Sequence, residues 1–132
     1  MEKLEHIGIA VNNLEVANKL FGQLLGREHY KIEEVESEGV RTSFFEVSGV
    51  KIELLEATRE DSPIAKFIGK RGEGIHHLAF EVSDINASIE EYRNKGFELI
   101  NTSPKMGADN KKICFLHPKT TNGVLIELCQ EC

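Results

Sequence analysis

His6-Ile7-Gly8-Ile9-Ala10-Val11 and His77-Leu78-Ala79-Phe80-Glu81-Val82 are two copies of one pattern, 71 residues apart. Ile52-Glu53-Leu54 returns as Ile126-Glu127-Leu128, 74 residues on. Near-equal offsets at both marks mean that one module has been duplicated, with a small change of length between the marks. A duplication that repeats packing residues is ordinary. One that repeats a histidine and a glutamate points to a shared site.

Working outward from the first copy, Leu4 to Val11 alternates as a strand does. Asn12-Asn13 then offers an N-cap, and Leu14, Ala17, Leu20, Phe21, Leu24 and Leu25 recur at helical spacing. Gly26 is a natural residue to end that helix. His29 to Val35, Thr42 to Val47 and Val50 to Leu55 read as three more strands, the last two joined by a tight Ser48-Gly49 hairpin. From Glu56 to Gly74 the chain reads as a connector. Inside it, Ser62-Pro63 signals a short helix running to about Ile68. The second module repeats the order: strand Ile75 to Val82, Asp84 as cap, helix Ile85 to Lys95, Gly96 as stop. Its further strands are expected near Phe97 to Ile100, Ile113 to Leu116 and Val124 to Leu128, with a polar loop from Thr102 to Lys112. The expectation is an α+β chain of two tandem βαβββ modules, residues 3–55 and 75–129, separated by the connector 56–74.

Strand parity assigns the polar residues to faces. Ile7, Ile9 and Val11 share one face and His6, Gly8 and Ala10 the other. Leu78, Phe80 and Val82 oppose His77, Ala79 and Glu81 in the same way. Glu53 is opposite in parity to Ile52 and Leu54, and Glu127 to Ile126 and Leu128. The bulky faces would pack under helices. The others carry His6, Glu53, His77 and Glu127 beside small residues that leave space for a ligand. His76 has the parity of Leu78, so it points to the helix side or sits at the strand entrance. Two imidazoles and two carboxylates are a borderline-to-hard ligand set, suited to Co²⁺, Ni²⁺, Mn²⁺, Zn²⁺ or Fe²⁺ with two open octahedral positions.

Bulk properties narrow the rest. The 132 residues suffice for one compact domain. A net charge of −6 argues against a nucleic-acid partner. No apolar run approaches the roughly 20 residues of a membrane span, and Lys3 and Glu5 interrupt any signal-like run, so the cytoplasm is the expected location. Three cysteines fit reduced thiols. Cys129-x-x-Cys132 lacks a second pair and reads as a strand-end thiol and a frayed tail.

The paired His…Glu set resembles that of the vicinal oxygen chelate superfamily. Within it the chain resembles the methylmalonyl-CoA epimerase family nearly end to end. The resemblance rests on His6 to Val11, on Glu53-Leu54-Leu55-Glu56 followed by Asp61-Ser62-Pro63-Ile64-Ala65, and on Gly74-Ile75-His76-His77-Leu78-Ala79. Phe115-Leu116-His117-Pro118-Lys119 and Gly123-Val124-Leu125-Ile126-Glu127-Leu128 complete it. It implies a single domain whose curved mixed sheet encloses a metal cavity, and a divalent ion, Co²⁺ favoured, with Ni²⁺, Mn²⁺ and Zn²⁺ as alternatives. The ion would be held mainly by His6, His77 and Glu127, with Glu53 a ligand, a base, or both in turn. The activity implied is inversion of C2 of methylmalonyl-CoA through an enolate, with Glu127 and Glu53 flanking C2 as acid–base groups. Some family members place a second base in the third strand, at the position of Thr42, whose neutral hydroxyl cannot serve. A homodimer is implied as well.

His117 and Lys119 are candidates for substrate contact, against the alternative of a turn stabilised by Pro118. Lys105 and Lys112 are candidates for CoA phosphates. Glyoxalase I of the same superfamily uses the same ligand types, so the ligands alone leave it open, and the flanking motifs favour the epimerase. A non-heme iron dioxygenase needs only two histidines and one carboxylate. A non-catalytic binding module needs no such ligand set.

Overall fold

A computed structural model describes residues 1–132, which divide into two compact units. One comprises residues 6–76; the other comprises Met1–Glu5 and 77–132. Two strands change unit midway. The start of β1 (Lys3–Ala10) belongs with the second unit, where the Glu2 N–H donates to the Glu81 carbonyl at 2.8 Å. The start of β5 (Gly74–Glu81) belongs with the first.

In the unit of residues 6–76 the strands β2 (Lys31–Val35), β3 (Val40–Val47) and β4 (Val50–Ala57) lie in the order β2-β3-β4-β1. β1 runs parallel to β4, and the other pairs are antiparallel. Helix α1 (Leu14–Leu25) starts where the Asn13 side chain accepts the Val16 N–H at 3.0 Å, and it ends at Gly26 with φ 68°. Ile9, Val11, Ile52, Leu54 and Phe45 pack with Leu14, Ala17, Phe21 and Leu25 of α1, so the bulky parity face does lie under the helix. Leu20 and Leu24 face outward, 59 % and 70 % exposed, which leaves a narrower apolar stripe than the spacing alone suggests. Ser48 and Gly49 both adopt positive φ between paired Val47 and Val50, the geometry of a two-residue hairpin.

Helix α2 (Pro63–Arg71) is capped by Ser62, whose hydroxyl accepts the Ala65 N–H at 3.1 Å. It runs three residues beyond the expected end at Ile68. Ile64, Phe67 and Ile68 bury against Ala10, Val40 and Leu55, and that packing carries the helix through Gly69. Ala10 and Leu55 lie on the face expected to be open, so α2 closes one end of it.

In the other unit the order is β5, β8 (Ile126–Glu131), β7 (Lys111–Leu116) and β6 (Lys105–Met106). Helix α3 (Ile85–Asn94) is capped by Asp84, which accepts the Ala87 N–H at 3.1 Å. Val82, Cys114, Leu116 and Leu128 pack against Ile85 and Ile89.

The strand expected near Phe97 to Ile100 is reduced to one antiparallel bridge, flanked by the Ile100 N–H donating to the Phe115 carbonyl at 2.8 Å and the His117 N–H donating to the Glu98 carbonyl at 2.7 Å. Leu99 makes a single bridge to Leu116, and pairing resumes only at β6, beyond Thr102-Ser103-Pro104. Pro104 has no N–H to give a ladder, and Phe97 and Leu99 are instead drawn into the α3 core. The Asn101 side chain bridges the gap, accepting the Phe115 N–H at 3.0 Å. β8 likewise starts at Ile126 rather than Val124 and extends to Glu131. Cys129 is therefore a buried strand residue, not a strand end, and burial raises its thiol pKa.

Gly39, with φ 63°, carries the turn from β2 into β3. A Cβ there would meet the Ser62 Cβ at 2.9 Å and the Arg59 Cζ at 3.0 Å. That guanidinium is committed, donating to the carbonyl of Glu36 at 2.6 Å and to Asp61 at 2.6 Å. Gly39→Ala is expected to cost roughly 2–5 kcal/mol, the sum of a left-handed alanine and overpacking. Gly26→Ala, also left-handed but with nothing within 4 Å, should cost only about 1–2 kcal/mol. Urea denaturation of both variants measures the difference, and equal losses would rule out the packing contribution.

Candidate functional site

β1 and β4 bring His6 and Glu53 together. The His6 Nδ1 stands 3.2 Å from a Glu53 carboxylate oxygen, and both residues are buried. In the other unit β5 and β8 do the same for His77 and Glu127, with Nε2 at 3.3 Å from the carboxylate. Each pair is more than nine-tenths removed from water, where polar groups persist only with partners. Donors bound to one ion by bonds of about 2.1 Å in a right-angled arrangement stand about 3 Å apart, so each imidazole–carboxylate pair has the spacing of two adjacent ligands. The donor chemistry fits a borderline-to-hard divalent cation.

Register identifies what surrounds each pair. Glu53 lies directly across from Phe44 of β3, and Phe44 directly across from Lys31 of β2. The Lys31 ammonium sits 4.4 Å from the centre of the Phe44 ring. Glu127 lies directly across from Phe115 of β7, whose ring meets the His77 imidazole edge-on at 5.9 Å and 90°. The Lys105 ammonium sits 5.8 Å from the centre of the Phe115 ring.

Each half therefore holds a histidine, a glutamate, a phenylalanine and a lysine. Phe44 and Phe115 are 71 positions apart, as the histidines are, whereas Lys31 lies across from Phe44 and Lys105 across from Ile113, so the two lysines reach their rings from different register positions. Phe44, Phe115 and Lys31 were missed by reading strands alone. The histidine offset of 71, applied to every residue rather than only to ligand types, would have found the two phenylalanines, but not Lys31.

The other sequence candidates fall elsewhere. His76 packs edge-on against Phe67 of α2 at 4.9 Å, and burial lowers its pKa to about 4. It is a neutral packing residue near neutral pH, held by the connector helix rather than pointing under α3. Thr42 is buried across from Leu55 and Glu33, on the Glu53 face. The His117 Nδ1 accepts the Lys119 N–H at 3.1 Å, and the Lys119 ammonium pairs with Glu98 at 2.9 Å. Lys112 shares the parity of Cys114 and Leu116, which pack on α3, and so lies on the face opposite Glu127. Ala79 is covered by Ile113, Cys129 and Phe115.

Residues 5–115 match the family model of the glyoxalase/bleomycin resistance protein/dioxygenase superfamily. An ethylmalonyl-CoA/methylmalonyl-CoA epimerase of Cereibacter sphaeroides is 40 % identical over 97 % of this chain and 97 % of its own length. The human mitochondrial methylmalonyl-CoA epimerase is 37 % identical over 97 % of this chain and 73 % of its own. Among solved structures, a variant of Streptomyces coelicolor methylmalonyl-CoA epimerase in complex with 2-nitronate-propionyl-CoA superposes with a TM-score of 0.92 at 36 % identity. That match covers 100 % of this chain and 96 % of that one. The chain thus has the vicinal oxygen chelate fold and belongs to the glyoxalase/bleomycin resistance protein/dioxygenase superfamily and, within it, to the methylmalonyl-CoA epimerase family.

Proposed function

We propose that this chain is a metal-dependent epimerase, a single domain over residues 1–132, that interconverts (2R)- and (2S)-methylmalonyl-CoA. The observation carrying the reading is the pair of buried imidazole–carboxylate couples, His6–Glu53 and His77–Glu127, duplicated in a chain of the epimerase family. His6, His77 and Glu127, with Glu53, would hold one divalent cation, Co²⁺ favoured over Ni²⁺, Mn²⁺ and Zn²⁺. Bound there, such a cation supplies Lewis-acid polarisation of the thioester carbonyl, which acidifies the proton on C2.

The chain's own residues handle that proton. Glu127, fixed by His77, accepts it from one face of C2, and Glu53, fixed by His6, returns one to the other. The carboxyl group is the side chain suited to both steps, and the neutral Thr42 hydroxyl cannot replace it. Phe44 and Phe115 stand across from the two carboxylates and keep water from solvating them. A cytoplasmic homodimer belongs to the reading. A net charge of −6 supports the absence of a nucleic-acid partner. No helix is long and apolar enough to cross a membrane.

The test is incubation of a single epimer of methylmalonyl-CoA with Co²⁺-loaded protein in D₂O. Deuterium should enter C2 as optical purity is lost. Absence of exchange with every divalent metal tried would refute the reading, and turnover of a methylglyoxal–glutathione adduct in its place would make the chain a glyoxalase.

A further inference from the structure

Each half sets a lysine ammonium against the ring of its site-facing phenylalanine, although the two lysines occupy different register positions. Neither lysine is needed to fill the core, since Lys31 and Lys105 stand at the solvent boundary; the Lys31 side chain is 37 % exposed. What both halves present is an ammonium over the ring of the phenylalanine that faces the candidate site. Register makes this more than proximity. Lys31, Phe44 and Glu53 form one row across β2, β3 and β4, so their side chains rise from the same face of the sheet. Phe115 and Glu127 are likewise a directly opposed pair, with the Lys105 ammonium against that ring. The negative face of an aromatic ring attracts an ammonium, and the lysine stem packs on its edge. Each cation is thereby held at the rim of a carboxylate's face instead of sweeping free solvent. The Glu33 carboxylate lies 3.6 Å from the Lys31 ammonium, an ion pair at the solvent boundary.

Charge makes such groups necessary. The chain carries −6, and an acyl-CoA bearing a free carboxylate carries several negative charges of its own, so local cations must offset the repulsion at the site. We infer that Lys31 and Lys105 are paired anchors for oxyanions of the substrate, one in each half, placed by Phe44 and Phe115. The inference rests on the acyl-CoA reading above. The oxyanions are phosphates of CoA or the free carboxylate of the acyl group, which present the same chemistry to an ammonium.

Lys31→Met and Lys105→Met keep the stem on the ring and remove the charge. Each should raise KM for methylmalonyl-CoA about 10-fold with kcat changed less than about 2-fold. Lys31→Arg and Lys105→Arg should restore KM, which a structural role for the stem would not require. A methylmalonyl-pantetheine thioester, lacking the phosphates, separates the sources. If the Met variants raise KM for it too, the carboxylate is the anion held; if only for the CoA ester, the phosphates are. Unchanged KM for both esters in both Met variants would overturn the inference while leaving the epimerase reading intact. A wild-type protein inactive on methylmalonyl-CoA would instead refute that reading.

Discussion

Glu127→Gln should lower kcat for epimerisation by about 10³-fold, within the 10²–10⁴ range of a lost general base. The amide keeps the size and one oxygen of the carboxylate, so the contact with His77 can persist while the proton acceptor is lost. Glu53→Gln makes the same change beside His6, and the two variants together apportion the proton transfers. If both glutamates flank C2, each variant should stop racemisation, yet each should leave exchange of the C2 proton with D₂O in the epimer whose proton faces the surviving carboxylate. Such exchange without inversion is a signature that simple metal loss cannot produce. Metal content of each purified variant completes the control. Full activity in Glu53→Gln, with Glu127→Gln inactive, would end any base role for Glu53 and require the second proton to come from another group.

The parts of this fold legible in the sequence are those decided locally. Asn13 and Asp84 each precede a helical apolar pattern and accept an N–H three residues on, and Ser48-Gly49 has the composition that a positive-φ pair demands. Parity put His6 with Glu53 and His77 with Glu127, because alternation is a property of the strand itself. Non-local competition decided the rest. Phe97 to Ile100 looks like a strand, but how far it pairs depends on β7 and on Pro104 beyond it, and pairing stops at one bridge while Phe97 and Leu99 pack into the α3 core. The end of α2 moved for the same reason, since Phe67 and Ile68 are stabilised by strand residues far away in sequence. The face expected to be open is partly closed by that helix, which no periodicity could foretell. The lysine–phenylalanine contacts escaped notice for a different reason. β6 has only two residues, too few to show a period, and Lys31 begins a strand whose alternation says nothing about which ring it will meet.

Stripping the metal should abolish activity, and the stoichiometry of its return tests whether the two halves make one site. Each half already presents an imidazole and a carboxylate at 3.2–3.3 Å, so two arrangements are chemically open: one ion shared by four ligands, or one ion per half. A two-ligand half would leave most of a cation's coordination sphere to water and bind weakly. Four protein ligands leave two positions for a bidentate substrate, the arrangement that the proposed chemistry needs. The expectation is therefore one Co²⁺ per chain in the chelator-treated and reloaded protein. His6→Ala and His77→Ala should each weaken that binding by more than about 100-fold, beyond what loss of an outer partner costs. Stability should follow occupancy: at a free metal concentration 100 times Kd the native state gains about 2.7 kcal/mol, and neither histidine variant should show that gain. Titration calorimetry reads the stoichiometry and thermal unfolding reads the linkage. Two ions per wild-type chain, or one ion retained tightly by His6→Ala, would mean that the duplicated pairs act separately, and the shared site would have to be abandoned.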